Sequence, residues 1–142
     1  MRSVTELDDA DADAMVAAAI QAARRLGIGV SVAVVDRGGR LKRFARMDEA
    51  EIAGATLAEQ KAFSAIANSC DTDVLAGLAQ PGADLYGIEA AGSGAFTVVI
   101  GGVVVRHRDE IVGAIGVSGG TSDQDRACAT AGRDAIADGD NP

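Results

Sequence analysis

Behind Asp8 and Asp9, the apolar residues Ala12, Met15, Val16, Ala19, Ala22, Ala23 and Leu26 repeat at helical spacing. The aspartates suit an N-cap and first turn, Arg24 and Arg25 the last turn, and Gly27 and Gly29 the stop. From Val30 to Asp36 the pattern becomes a continuous β-branched run, which reads as a buried strand. Asp36-Arg37-Gly38-Gly39 supplies a turn, and Leu41 to Met47 reads as the returning strand of a hairpin. Alternation puts Lys42, Phe44 and Arg46 on one face of that strand and Leu41, Arg43 and Ala45 on the other.

A second helix is predicted over Ile52 to Asn68, with a small apolar side at Ala55, Ala58, Ala62 and Ala65. Asp71-Thr72-Asp73 starts a short third helix to about Leu78, broken by Pro81-Gly82, and the glycine-studded stretch Leu85 to Gly94 reads as loop. Three strand signals follow, over Phe96 to Ile100, Val103 to Arg108 and Ile111 to Val117. A last helix is expected from Ser122, as N-cap, to Ala137, with Asp125 near N3 and a frayed tail from Asp138. The order α-β-β-α-α-β-β-β-α groups its strands as hairpins. It therefore predicts an α+β fold, one antiparallel sheet packed with helices, rather than a doubly wound parallel sheet.

At 142 residues the chain suits one domain, residues 1–142 with a core over about 10–137. A formal charge of -8 and 3% aromatic residues argue against a nucleic-acid partner, which calls for a basic surface or stacking rings. No apolar run approaches the roughly 20 residues that cross a bilayer, and Met1 to Glu6 turns acidic where a signal peptide would turn apolar. A cytoplasmic protein without a membrane partner is expected. Cys70 and Cys128 form no CxxC pair and fall on alanine-rich helices, so they read as small packed residues.

Three constellations carry candidate chemistry. Arg46-Met47-Asp48 ends the second strand beside a helix start, and an inward Arg46 needs an anion, either Asp48 or Glu51 or a bound carboxylate. Lys61 sits among alanines; it either snorkels to water or faces the sheet, where with Arg46 it would form a cationic pocket. The passage Gly116 to Ser122 joins strand to helix, as a tight turn plus cap or as an anion cradle crowded by Asp123 and Asp125. Gly101-Gly102 marks a bulge or a ligand's approach to the backbone. His107, the one histidine, alternates with Val103 and Val105; it is packed or solvated, or acts as an axial ligand or acid/base group. A lone histidine excludes the histidine-rich zinc sites, and no metal ligands are assigned.

Taken in order, these pieces resemble the GlcG/HbpS family of haem-binding or haem-degrading-type domains, also found as the C-terminal domain of PduO-type proteins. The matching residues are Val32 to Asp36 with Gly38-Gly39, Arg46-Met47-Asp48, Lys61-Ala62 with Ser64-Ala65, Gly101-Gly102, Ile111 to Gly119, and Asp125. The resemblance spans about Ala10 to Ala137. It implies a profilin-like α+β fold with a five-stranded antiparallel sheet, assembly into a homo-oligomer, and a small-molecule ligand, with haem as the named candidate cofactor. Among residue types that ligate haem iron the chain offers His107, Met47, Cys70, Cys128 and Tyr86.

Two functions follow as expectations. One is a small-molecule-binding protein whose ligand lies in a cleft between the sheet and the second helix, near Arg46, Asp48, Lys61 and Gly101-Gly102, with Phe44, Met47, Gly101, Gly102 and His107 as cofactor-binding candidates. The other is a cofactor-free isomerase, lyase or hydrolase of a small organic acid. There Arg46 or Lys61 clamps a carboxylate and Asp48 or Glu51 moves a proton. The valine-rich final strands, short of charges, are expected to leave an edge that favours association.

Overall fold

The computed structural model describes residues 1–136. Its elements are α1 (Asp9–Leu26), β1 (Ser31–Asp36), β2 (Leu41–Arg46), α2 (Ile52–Asn68), α3 (Thr72–Leu78), α4 (Ile88–Ala91), β3 (Gly102–His107), β4 (Glu110–Ser118) and α5 (Ser122–Asp134). The expected frayed tail, and the expected last turn of the final helix at Ala137, lie outside the described residues.

The strands form one antiparallel sheet of four, in the order β2-β1-β4-β3. The α+β class and antiparallel pairing agree with the sequence pattern, but the fifth strand does not form among the described residues. Phe96 to Ile100 has strand-like composition and no ladder. Its amides are taken by side chains instead: Thr97 N–H donates to Ser64 Oγ at 2.8 Å, and Val98 N–H to Glu89 Oε1 at 3.2 Å. A segment whose donors are already satisfied gains nothing by pairing.

Alternation along β1 sorts the core into two layers. Val32 and Val34 face α1 and α5, where they pack with Met15, Ala19, Ile115 and Cys128. Ala33 and Val35 face α2, meeting Ala58, Ala62, Ala65 and Ala114. α2 lies so close to the sheet that side chains are excluded beneath it. A Cβ on Gly116 would collide with the Ala58 carbonyl, and one on Gly102 with the Lys61 carbonyl. Alanine on the helix and glycine on the strands are thus one packing arrangement.

Helix ends follow the expected chemistry with one shift. Asp8 caps α1 in a reciprocal box with Asp11. α5 is capped by Thr121 with Gln124 at N3, one residue ahead of the expected Ser122 and Asp125. At the edges, β4 is internal and β3 is partly covered, since Asp71 Oδ1 accepts the Val104 amide at 2.9 Å. The opposite edge strand, β2, carries charged Lys42 and Arg43, which bind Asp9 and Asp13 of α1. Of the valine-rich final strands, β3 therefore forms an edge of the sheet, as expected, and β4 does not.

Candidate functional site

The one-residue shift of the α5 cap turns Asp125 inward. Asp125 is buried, and its Oδ2 lies 2.9 Å from Nζ of Lys61, which is fully buried. Lys61 also donates to the Val117 carbonyl at 2.9 Å, and Asp125 Oδ1 accepts the Gly120 amide at 2.7 Å. Both carboxylate oxygens and two of the ammonium's three protons are thus engaged inside the fold. Burial pulls the Lys61 pKa below its ordinary value, and Asp125 acts the other way by bond and charge. Gly101 and Gly102 adjoin the same node: their amides donate to Thr72 Oγ1 at 3.1 and 2.9 Å, and a Cβ on Gly101 would stand 3.0 Å from Lys61 Nζ. Lys61 therefore ties α2 to β4 and α5, and the glycine pair ties α3 to the start of β3, with Lys61, Gly101 and Gly102 all buried.

Arg46 is exposed and takes no part in that node. With Arg24, Met47, Asp48 and Glu49 it lines an open hollow of about 410 Å³. The expected cationic pocket shared by Arg46 and Lys61 is not formed: one guanidinium stands in water and the ammonium is sealed under α2. Met47 is half-buried, and its Sδ accepts the Val30 amide at 3.4 Å. Phe44 is exposed on the edge strand, while Asp48 and Glu51 are exposed in the β2–α2 connection, with Glu51 at the N-cap of α2.

His107 falls elsewhere, at the end of β3 and half-buried. It lines a cavity of about 560 Å³ between the N-terminal segment, β3 and the end of α5. The apolar wall comes from Leu7, Val104, Val105, Val112 and Ile136; Arg106 and Arg133 supply cations, and Glu6, Asp11 and Asp71 supply acceptors. That volume lies within the roughly 300–1,000 Å³ of small-molecule and cofactor pockets. The residues fit haem: an imidazole to ligate iron, an aliphatic wall for the porphyrin, and two guanidinium groups for the propionates. Alternation marks His107, and Arg106 precedes it in the sequence, but no local signal marks Arg133 as a neighbour, because it arrives only through the tertiary fold. Among the described residues no cluster of His, Cys, Asp and Glu could hold a metal ion, and no helix is long and apolar enough to cross a membrane.

Comparison with known proteins agrees with this architecture. The sequence model of the family described as "Haem degrading protein HbpS-like" matches residues 7–134. The corrinoid adenosyltransferase PduO of Salmonella typhimurium is 35% identical over 108 residues, 76% of this chain but 32% of PduO. Among solved structures, the PduOC:heme complex has a TM-score of 0.89 at 32% identity, covering 93% of this chain and 96% of that one. Protein ORFY of Klebsiella pneumoniae has a TM-score of 0.93 at 33% identity, covering 96% and 94%.

Proposed function

The chain belongs to the HbpS-like family, and on that premise we propose that it binds haem in the cavity at the end of β3. His107 is the iron ligand, and Arg106 and Arg133 receive the propionates. The observation that carries this reading is the placement of the chain's one histidine in a cavity that joins an aliphatic wall to two arginines. The family match and the likeness to a haem complex support haem as the ligand class. Haem is itself a dicarboxylate, which accommodates the expectation of a carboxylate-bearing ligand. When bound, it would supply redox and oxygen chemistry; the protein's part is to ligate, orient and shield.

Titration of the purified protein with haemin tests the proposal. A ligand-shifted Soret band is expected at micromolar haemin, and His107→Ala should alter its position. Arg133→Gln should weaken binding by about tenfold with the band unmoved. No Soret change in the parent protein refutes haem binding, and an unchanged band in His107→Ala refutes the axial assignment.

The reading as a homo-oligomer belongs with this proposal: β2 is an edge strand, and Leu41 and Phe44 stay exposed along it. Sedimentation should give a mass above the 14.3 kDa of one chain; a mass equal to one chain at working concentration removes this part.

A further inference from the structure

One wall of the His107 cavity is the segment ahead of α1, through Thr5, Glu6 and Leu7; β3, β4 and the end of α5 form the others. Residues 1–6 are all exposed. Among the described residues, no hydrogen bond or ion pair involves any residue before Asp8. The first such bond, from the Asp8 amide to Asp11 Oδ2 at 3.0 Å, belongs to the capping box of α1. The segment is therefore anchored by one side chain. Leu7 is 5% exposed and joins the core layer of α1 and α5. It takes the space left by the missing side chain of Gly113 in β4, where a Cβ would collide with Leu7 Cδ1. Gly113 pairs with Val105, which also lines the cavity, so the anchor sits beside the space that the segment walls.

The other walls are held differently. β3 is laddered to β4, and α5 carries its own helical bonds and a reciprocal cap. Moving either breaks several hydrogen bonds at once. Moving the segment breaks none and withdraws a single leucine, while the capping box keeps the start of α1 in place. Few apolar contacts and solvated backbone groups mark the part of a fold that opens first. That part here borders a cavity of about 560 Å³.

Resting on the reading that this cavity takes haem, we infer that residues 1–7 are a strap, clipped by Leu7, whose release sets the rate at which haem enters and leaves. The full-length protein is loaded with haemin and mixed with an excess of a tighter haem acceptor, and loss of its Soret band is followed in time. Leu7→Ala should release haemin about tenfold faster than the parent, with the band of the bound form unmoved. Leu7→Met keeps an apolar side chain of similar volume and should release at the parent's rate. Because Leu7→Ala also leaves a hole in the core, a second variant lacks residues 1–6, none of them buried. It should keep the parent's melting temperature and release haemin severalfold faster. Release at the parent's rate in both Leu7→Ala and the shortened chain overturns the strap and leaves haem binding standing. Faster release in Leu7→Ala alone, with a lowered melting temperature, assigns the effect to lost packing and also overturns it. No Soret change in the parent removes the haem reading and the strap with it.

Discussion

Lys61 is held at 2.9 Å by Asp125 and at 2.9 Å by the Val117 carbonyl, with no solvent contact. Asp125→Ala strands that ammonium with one neutral acceptor and also leaves the Gly120 amide, now 2.7 Å from Oδ1, without its partner. Removing one member of a buried ion pair costs about 3–5 kcal/mol, against a total stability of roughly 5–15 kcal/mol for a domain. In urea, with a slope of about 1–3 kcal/mol/M, the midpoint at pH 7 should fall by about 2 M. The double variant Lys61→Met/Asp125→Ala removes the stranded charge while keeping an unbranched stem, and should recover about 1–3 kcal/mol of that loss. The pH dependence has a defined sign. Burial lowers the folded-state pKa of Lys61 below its ordinary value of 10.5, and loss of Asp125 lowers it further. Between the folded value and that of the unfolded chain, the unfolded chain binds more protons, so stability rises with pH. The deficit of Asp125→Ala is therefore complete below the folded pKa and shrinks as pH climbs toward 10.5. Denaturant unfolding followed by circular dichroism at several pH values reads all of this. A loss under about 1 kcal/mol at pH 7, or strict additivity in the double variant, would refute a tightly coupled buried pair.

Other expectations follow from single contacts. Ser31→Ala deletes an unpartnered buried hydroxyl and should stabilise the ligand-free protein by about 1 kcal/mol, raising Tm by about 3 °C in calorimetry; a fall in Tm would show that the hydroxyl has a partner. Gly116→Ala drives a methyl into the backbone of α2 at Ala58 and Ala62 and should cost about 3 kcal/mol or prevent folding, read by the urea midpoint; a parent-like midpoint would refute close helix–sheet contact. Burial raises the thiol pKa of Cys128, with Asp125 adding to it, and burial also raises that of half-buried Cys70, ahead of Asp71 and Asp73. A thiol reagent at pH 8 should therefore react slowly with Cys70, far more slowly with Cys128, and rapidly with both after denaturation; a fast native thiol would contradict this.

The periodic elements were legible because local pattern decides them. α1, the hairpin of β1 and β2, α2 and the final strand pair all follow from spacing and turn residues. Phe96 to Ile100 misled because composition reports strand propensity but not the availability of a partner, and here Ser64 and Glu89 claim the donors. The candidate site was legible only in pieces. Sequence marked Lys61 and Asp125 separately, but a one-residue error in the α5 cap hid that the aspartate turns toward the lysine. Arg46 and Ser31 become neighbours through β-pairing register, which the pattern alone does not fix.

This division explains why the motifs that placed the chain in its family say little about its ligand. Lys61, Gly102, Gly116 and Asp125 bring α2 down onto the sheet and hold the β4–α5 turn. They would be required by any protein with this closely packed layer, whatever it binds. The groups proposed to meet a ligand, His107 with Arg106 and Arg133, lie elsewhere, at the end of β3, and Arg46 lines a separate open hollow beside α1. None of these contributes to the buried node. A substitution at Lys61 should then remove stability and every ligand together. One at exposed Arg46 should leave the unfolding free energy within about 0.5 kcal/mol of the parent.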